Sequence, residues 1–166
     1  MAPPLVIGDT RRRNPMTTPP AIEFEVHSAN AAIVTLRGEH DLNSKAEVAK
    51  ALSAASAYDN VVVDLSECSF LDSSVISALL HASNRLSERE GLLRLVIAGD
   101  GHAGVRRLFE VMDLQRVLPI HSSRAVAIAG LATRPPRTDE TIARMRSLDD
   151  LIRQSCDDDE DEHRAA

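Results

Sequence analysis

The sequence predicts an α/β domain, a mixed four- to five-stranded sheet with helices mostly on one face, and three observations carry that reading. First, Ile22 to Val26 alternates apolar and acidic residues, and Ile33 to Leu36 follows across the short link Ser28-Ala29-Asn30. Alternation with period two marks a strand with one wet face, and so close a second strand makes an antiparallel hairpin. Second, Val61 to Leu65 and Leu92 to Ile97 are near-continuous apolar runs, the pattern of strands covered on both faces. Third, Ile76, Leu79, Leu80, Ser83 and Leu86 recur at helical spacing between those two runs. A strand, helix, strand succession sets the strands parallel, with the helix as crossover.

Composition limits the alternatives. The chain has 166 residues, 43% apolar and 27% charged, with 2% aromatics and no tryptophan. A core of Val, Ile, Leu and Ala is expected, and this length suffices to bury one. No stretch approaches the roughly 20 apolar residues of a membrane span. Cys68 and Cys156 do not make a disulfide framework, so a reducing cytoplasm is the expected location. No Cys or His falls at metal-ligand spacing.

In chain order, residues 1–20 hold five of the eight prolines and no apolar period, which reads as a flexible leader. The Arg11 to Arg13 triplet is followed by no apolar h-region and is not an export signal. After the hairpin, Gly38 to Leu42 leads into Ser44-Lys45-Ala46-Glu47, a capping-box pattern opening a helix to about Ala57. The strand from Val61 to Leu65 ends in a polar turn, and Phe70-Leu71-Asp72-Ser73-Ser74 opens the next helix. That junction sets a carboxylate and two hydroxyls against helix amides that lack internal partners. Serine there is ordinarily an N-cap, worth about 1 kcal/mol. Gly99-Asp100-Gly101 is a turn without the lysine and spacing of a P-loop. Val105, Leu108, Phe109 and Met112 form one helical face. Val117 to Ile120 is the last strand, confined to an edge by Pro119, and Ser122 or Ser123 caps a helix to about Leu131.

The domain thus spans 21–132, and residues 133–166 form an extension. Within it Ile142, Met145, Leu148 and Ile152 make one amphipathic face, followed by six consecutive acids from Asp157 to Glu162. Those six account for the whole difference between 25 acids and 19 basic side chains. A balanced body with an acidic end argues against nucleic acid as a partner.

Three motifs resemble a known family. Gly38-Glu39-His40-Asp41-Leu42, Asp64-Leu65-Ser66-x-Cys68-x-Phe70-Leu71-Asp72-Ser73-Ser74, and Val105-Arg106-Arg107-Leu108-Phe109 through Met112-Asp113-Leu114 resemble, in the same order, motifs of STAS domains, in particular the bacterial anti-sigma factor antagonists. The resemblance covers about Ile22 to Leu131. It implies the STAS fold and a surface made by Asp41, Asn43, Ser44, Asp72, Ser73 and Ser74 that binds an anti-sigma factor of the histidine-kinase-like ATPase family. Binding would release a sigma factor. The partner would phosphorylate Ser73, and a protein phosphatase would reset it.

Two positions depart from the family pattern. Val75 stands where glycine is usual, and His40 where leucine is usual, so His40 is expected to be a solvated contact residue that makes the surface more polar. No imidazole is placed beside Ser73 by any motif, so an enzyme is not expected; no cofactor is implied. The alternative function is a phosphorylation-independent STAS subunit of another complex, for example a lipid-transporter ATPase, with Ser73 only a helix cap.

Overall fold

The computed structural model describes residues 20–99, 103–132, 143–144, 147–148 and 150. The leader, and all of the extension but those five residues, lie outside the described residues. Strands β1 (Ala21–Ser28) and β2 (Ala31–His40) form the antiparallel hairpin, with Phe24 opposite Val34. Helix α1 (Lys45–Ala55), β3 (Asn60–Leu71), α2 (Ser73–Glu88), β4 (Leu92–Val96), α3 (Ala103–Val111), β5 (Ile120–His121) and α4 (Arg124–Ala129) follow. The five strands lie in sequence order; every pair after the first is parallel. The mixed α/β sheet is as the sequence predicts.

Side-chain alternation divides the sheet into two faces. Val34 and Leu36, Val61, Val63 and Leu65, and Leu93 and Leu95 point into one core, which Val48 and Leu52 of α1, Leu79 and Leu80 of α2, and Phe109 of α3 close. Each fully buried Leu or Val there is worth about 1.5–3 kcal/mol against an exposed one. The intervening positions Ile33, Val62 and Val96 face the other way, onto Ala127 of α4. Three helices therefore cover one face and the short α4 covers the other.

Four expected boundaries are corrected. The polar stretch after Leu65 is not a turn: β3 continues to Leu71, because β2 runs on beside it to His40 through two register shifts. One shift lies at Gly38, whose φ of 76° suits glycine. Arg37 ties the extension together by pairing with Glu23 on β1 and Glu67 on β3. Second, α1 ends at Ala55 instead of Ala57, closed by the amide of Ser56 on Leu52 O. Third, the capping box does not form. Ser44 has helical φ and ψ of −91° and −8°, and its hydroxyl turns back to Asp41 O at 3.0 Å. Fourth, the last strand lies at Ile120–His121, after a 3₁₀ turn at Leu114–Arg116; Pro119 precedes it, offering its carbonyl to the Leu95 amide at 2.8 Å. Gly91, between α2 and β4, packs so closely that a Cβ there would meet Asp59 O at 2.5 Å.

Ser123 caps α4 by accepting from the Val126 amide at 3.2 Å. Of the expected C-terminal amphipathic face only Leu148 is described; it lies in helical conformation and packs against the main core.

Candidate functional site

The parallel strands β2 and β3 end side by side, with His40 opposite Leu71 and the Asp72 amide donating to His40 O at 3.2 Å. The loop after β2 and the start of α2 therefore emerge together at the carboxyl end of the sheet, the usual place for a site in α/β folds. Five of the six site residues read from sequence, Asp41, Asn43, Ser44, Asp72 and Ser73, are open to solvent here at least in part.

Asp72 is the N-cap of α2. Its backbone is extended, with φ −97° and ψ 175°, and its Oδ1 accepts from the Val75 amide at 3.1 Å and from Ser74 Oγ at 2.6 Å. That leaves Ser73 as the first helical residue, exposed, with no side-chain hydrogen bond among the described residues. Ser74, expected in the contact surface, is only 3% exposed and points inward. It braces Asp72 instead of forming the surface.

Across the junction, Asp41 closes a tight local turn. Its carboxylate accepts from the Asn43 amide at 2.9 Å and from Asn43 Nδ2 at 3.1 Å. The Asn43 side chain and backbone hold the Asp41 carboxyl below its usual pKa, so it stays ionised. Ser44 is half-buried, bound to Asp41 O.

His40 is not a solvated contact residue. It is fully buried, with Nε2 3.0 Å from Arg37 O and Nδ1 3.3 Å from Ser44 Oγ. A carbonyl only accepts, so Nε2 carries a proton toward Arg37 O. Burial pulls its pKa below the ordinary histidine value, against the opposing pull of the Arg37 carbonyl. The histidine therefore anchors the loop from below. Val75 is likewise fully buried in the main core, so its side chain does not stand between Ser73 and a partner.

Two apolar side chains complete the patch: Leu42 is 65% exposed and Phe70 49%. Sequence reading passed over both. Strict period-two alternation would put Phe70 on the buried side with Cys68; the register shift between Gly38 and Glu39 turns it outward instead. Together the exposed groups form a surface with two carboxylates, one unengaged hydroxyl and two apolar anchors. Neither loop, 41–44 or 72–74, contains a cation. No group of three His, Cys, Asp or Glu among the described residues is placed to hold a metal.

This arrangement of strands and helices is that of a STAS domain. The family model described as Mlab, STAS domain matches residues 24–119, more than half of the chain, and the chain belongs to that family. Solved structures show the same fold. An anti-sigma factor antagonist from Mycobacterium paratuberculosis superposes with a TM-score of 0.61 at 22% identity, covering 70% of this chain and 99% of its own. The anti-sigma factor antagonist SpoIIAA in its unphosphorylated form gives 0.55 at 19%, covering 69% and 100%. The Bacillus cell fate determinant SpoIIAA in the phosphorylated form gives 0.53 at 20%, covering 66% and 97%. No curated protein matches the chain.

Proposed function

We propose that this protein is an anti-sigma factor antagonist: in the unphosphorylated state it binds an anti-sigma factor that is also a serine kinase, freeing a sigma factor, and phosphorylation of Ser73 ends the complex. The observation that carries the reading is Ser73 itself, exposed and unengaged at the head of α2, beside the Asp41 loop on a STAS scaffold. Local hydrogen bonds fix Asp41 in its turn and Asp72 at the cap, and among the described residues none engages the Ser73 hydroxyl.

Leu42 and Phe70 supply apolar contact area for the partner, flanked by Asp41 and Asp72. In the transfer step Ser73 Oγ attacks the γ-phosphorus of the partner's ATP, the bond to the β-phosphate oxygen breaks, ADP leaves, and the serine proton passes to a base on the partner. The phosphoserine adds about −1.5 to −2 charge and three acceptor oxygens. The first-turn amides of α2 favour it, but Asp72 lies directly beside it and neither loop brings a cation. Its cost falls on the bound state, where a partner fitted to a hydroxyl meets a dianion. As about 1.4 kcal/mol is tenfold in affinity, a few kcal/mol suffice to dissociate the complex. A protein phosphatase would restore the hydroxyl.

Family membership is compatible with the alternative of a phosphorylation-independent subunit of another complex. Val75, the departure from the family's usual glycine, is buried and so does not favour that alternative.

The test is capture of partners from the host lysate with wild type, Ser73→Ala and Ser73→Asp, identified by mass spectrometry. A histidine-kinase-like ATPase held by wild type and alanine but lost, at least tenfold, with aspartate is the expected result. Equal capture of a transporter ATPase by all three would replace this reading with the alternative.

A further inference from the structure

On the outer side of the helical layer, α1 and α2 leave a groove of about 460 Å³. Lys45, Ala49 and Ser53 line one wall, and Ala78, Ala82 and Arg85 the other. The small side chains open the groove to an extended backbone, and the His81 imidazole lies between the two ends. No Asp or Glu lines it. Lys45 and Arg85 make no ion pair among the described residues.

A basic groove on an otherwise balanced body calls for an acidic, extended occupant, and the chain carries one. The six acids from Asp157 to Glu162 hold the entire net charge of −6. Their starting point is also on the right side of the sheet. Leu148 packs against the core beneath the helices, and Arg144 pairs with Asp113, just beyond α3. Residues 151–156 span up to about 20 Å when extended. That reach, about two helix diameters, separates Asp157 from Asp150, the last described residue.

We propose that Asp157 to Glu162 docks in the α1/α2 groove, with its carboxylates against Lys45, His81 and Arg85. Surface ion pairs are individually weak, and ordinary salt screens them over about 8 Å, so the docking is reversible and salt-sensitive. Lys45 directly follows Ser44, and Ser77 on the groove wall is one turn from Ser73. A docked tail therefore places its charge at the margin of the candidate partner surface and competes with any partner that covers Lys45. That last consequence rests on the proposed function; the docking does not.

The experiment uses the full chain with a nitroxide on Cys156, next to the acids. Cys68 is buried with its thiol pushed up to about 11, so a thiol reagent at neutral pH selects Cys156. Expected is selective broadening of the amides of Lys45, Ala49, Ser53, Ala82 and Arg85. It should be relieved in about 0.5 M salt, where the screening length is about 4 Å. It should also be relieved in Lys45→Gln/Arg85→Gln and Lys45→Glu/Arg85→Glu chains whose melting temperature matches wild type. Broadening centred elsewhere, or unchanged by salt and charge reversal, overturns the docking. Broadening that appears only when labelled chain is mixed with unlabelled isotope-enriched chain assigns the tail to a second copy and also overturns it. Because none of these readouts involves a partner, failure here is distinguishable from failure of the proposed function.

Discussion

Oδ1 of Asp72 accepts both the Val75 amide and the buried hydroxyl of Ser74, so the side chain next to the exposed Ser73 is structural before it is anything else. Asp72→Ala removes the cap, at about 1–2 kcal/mol, and leaves Ser74 Oγ without its acceptor. Asp72→Asn keeps an acceptor oxygen and should cost only a fraction of that; urea unfolding of the pair checks it. If alanine and asparagine prove equally costly, charge and not capping is what Asp72 supplies. The sequence placed a carboxylate and two serines at this junction, all three being common caps. Which one caps depends on where the backbone turns from extended to helical, and the extended ψ of 175° at Asp72 settles it. The burial of His40 was illegible for a related reason. A histidine beside an aspartate in a loop motif reads as wet, and only the extension of β2 and β3 carries it under its own loop.

At the level of elements, α4 shows how a short helix stays on the second face of the sheet. Its apolar contacts are few, Ala127 with Ile33, Val62 and Val96, helped by Ile128 and Leu131. Charge completes the attachment. Arg124 Nε donates to Asp64 Oδ2 at 2.9 Å and Nη2 to Thr35 Oγ1 at 2.7 Å. At the other end the fully buried Arg94 donates to Gly130 O at 2.6 Å, satisfying a carbonyl at the helix terminus. Arg124→Ala leaves Asp64, 7% exposed, without its cation and should cost about 1–3 kcal/mol. Amide exchange at Ala127 should accelerate more than exchange in α2. Uniform acceleration through both helices would mean that α4 is not a separately attached element. Asp64 and Arg94 sit inside the two apolar runs of the sequence, where they read as interruptions. They are the polar members of the second face, visible as such only once the strand register pairs Val62 with Arg94 and Asp64 with Val96.

For the molecule as a whole, titration gives a two-step response to acid. Burial lowers the pKa of His40, which has the carboxylates of Asp41 and Glu47 nearby. Burial and then the charge of Arg94 lower that of His121. A histidine depressed in the folded state binds fewer protons than in the unfolded chain, so stability falls as pH drops below about 6.5. Asp64 follows the opposite pattern: burial alone would raise it, but the hydrogen bonds from Ser66 and Arg124 outweigh burial and hold it low. Asp41 is low as well. Their contribution is present above the usual carboxylate value and is lost as pH falls from about 4. Urea midpoints should therefore be flat from about pH 7 to 8, fall above about 8.5 where only the unfolded chain ionises the Cys68 thiol, decline on acidification from about 6.5, and decline again from about 4. His40→Leu, which restores the family's usual residue, should shrink the first decline and leave the second. An unchanged first decline in that variant would assign the effect to His121 alone.

The fold was legible because its main signals are local: period-two alternation, apolar runs and helical spacing each belong to one segment and survive whatever surrounds them. The motif from Asp64 to Ser74 was legible for the same reason, since residue order alone identifies it. Exposure was not. Whether His40 faces solvent or core is set by pairing between β2 and β3 across some 30 residues of chain, where a one-residue change in register moves a side chain from one face to the other. Which way Ser74 and Val75 face is set by how α2, starting at Ser73, packs on the sheet. Residue types at the site therefore follow from the sequence, whereas the surface they present, Asp41, Leu42, Phe70 and Ser73 outward with His40 and Val75 beneath, follows from how the strands meet and how α2 packs on them.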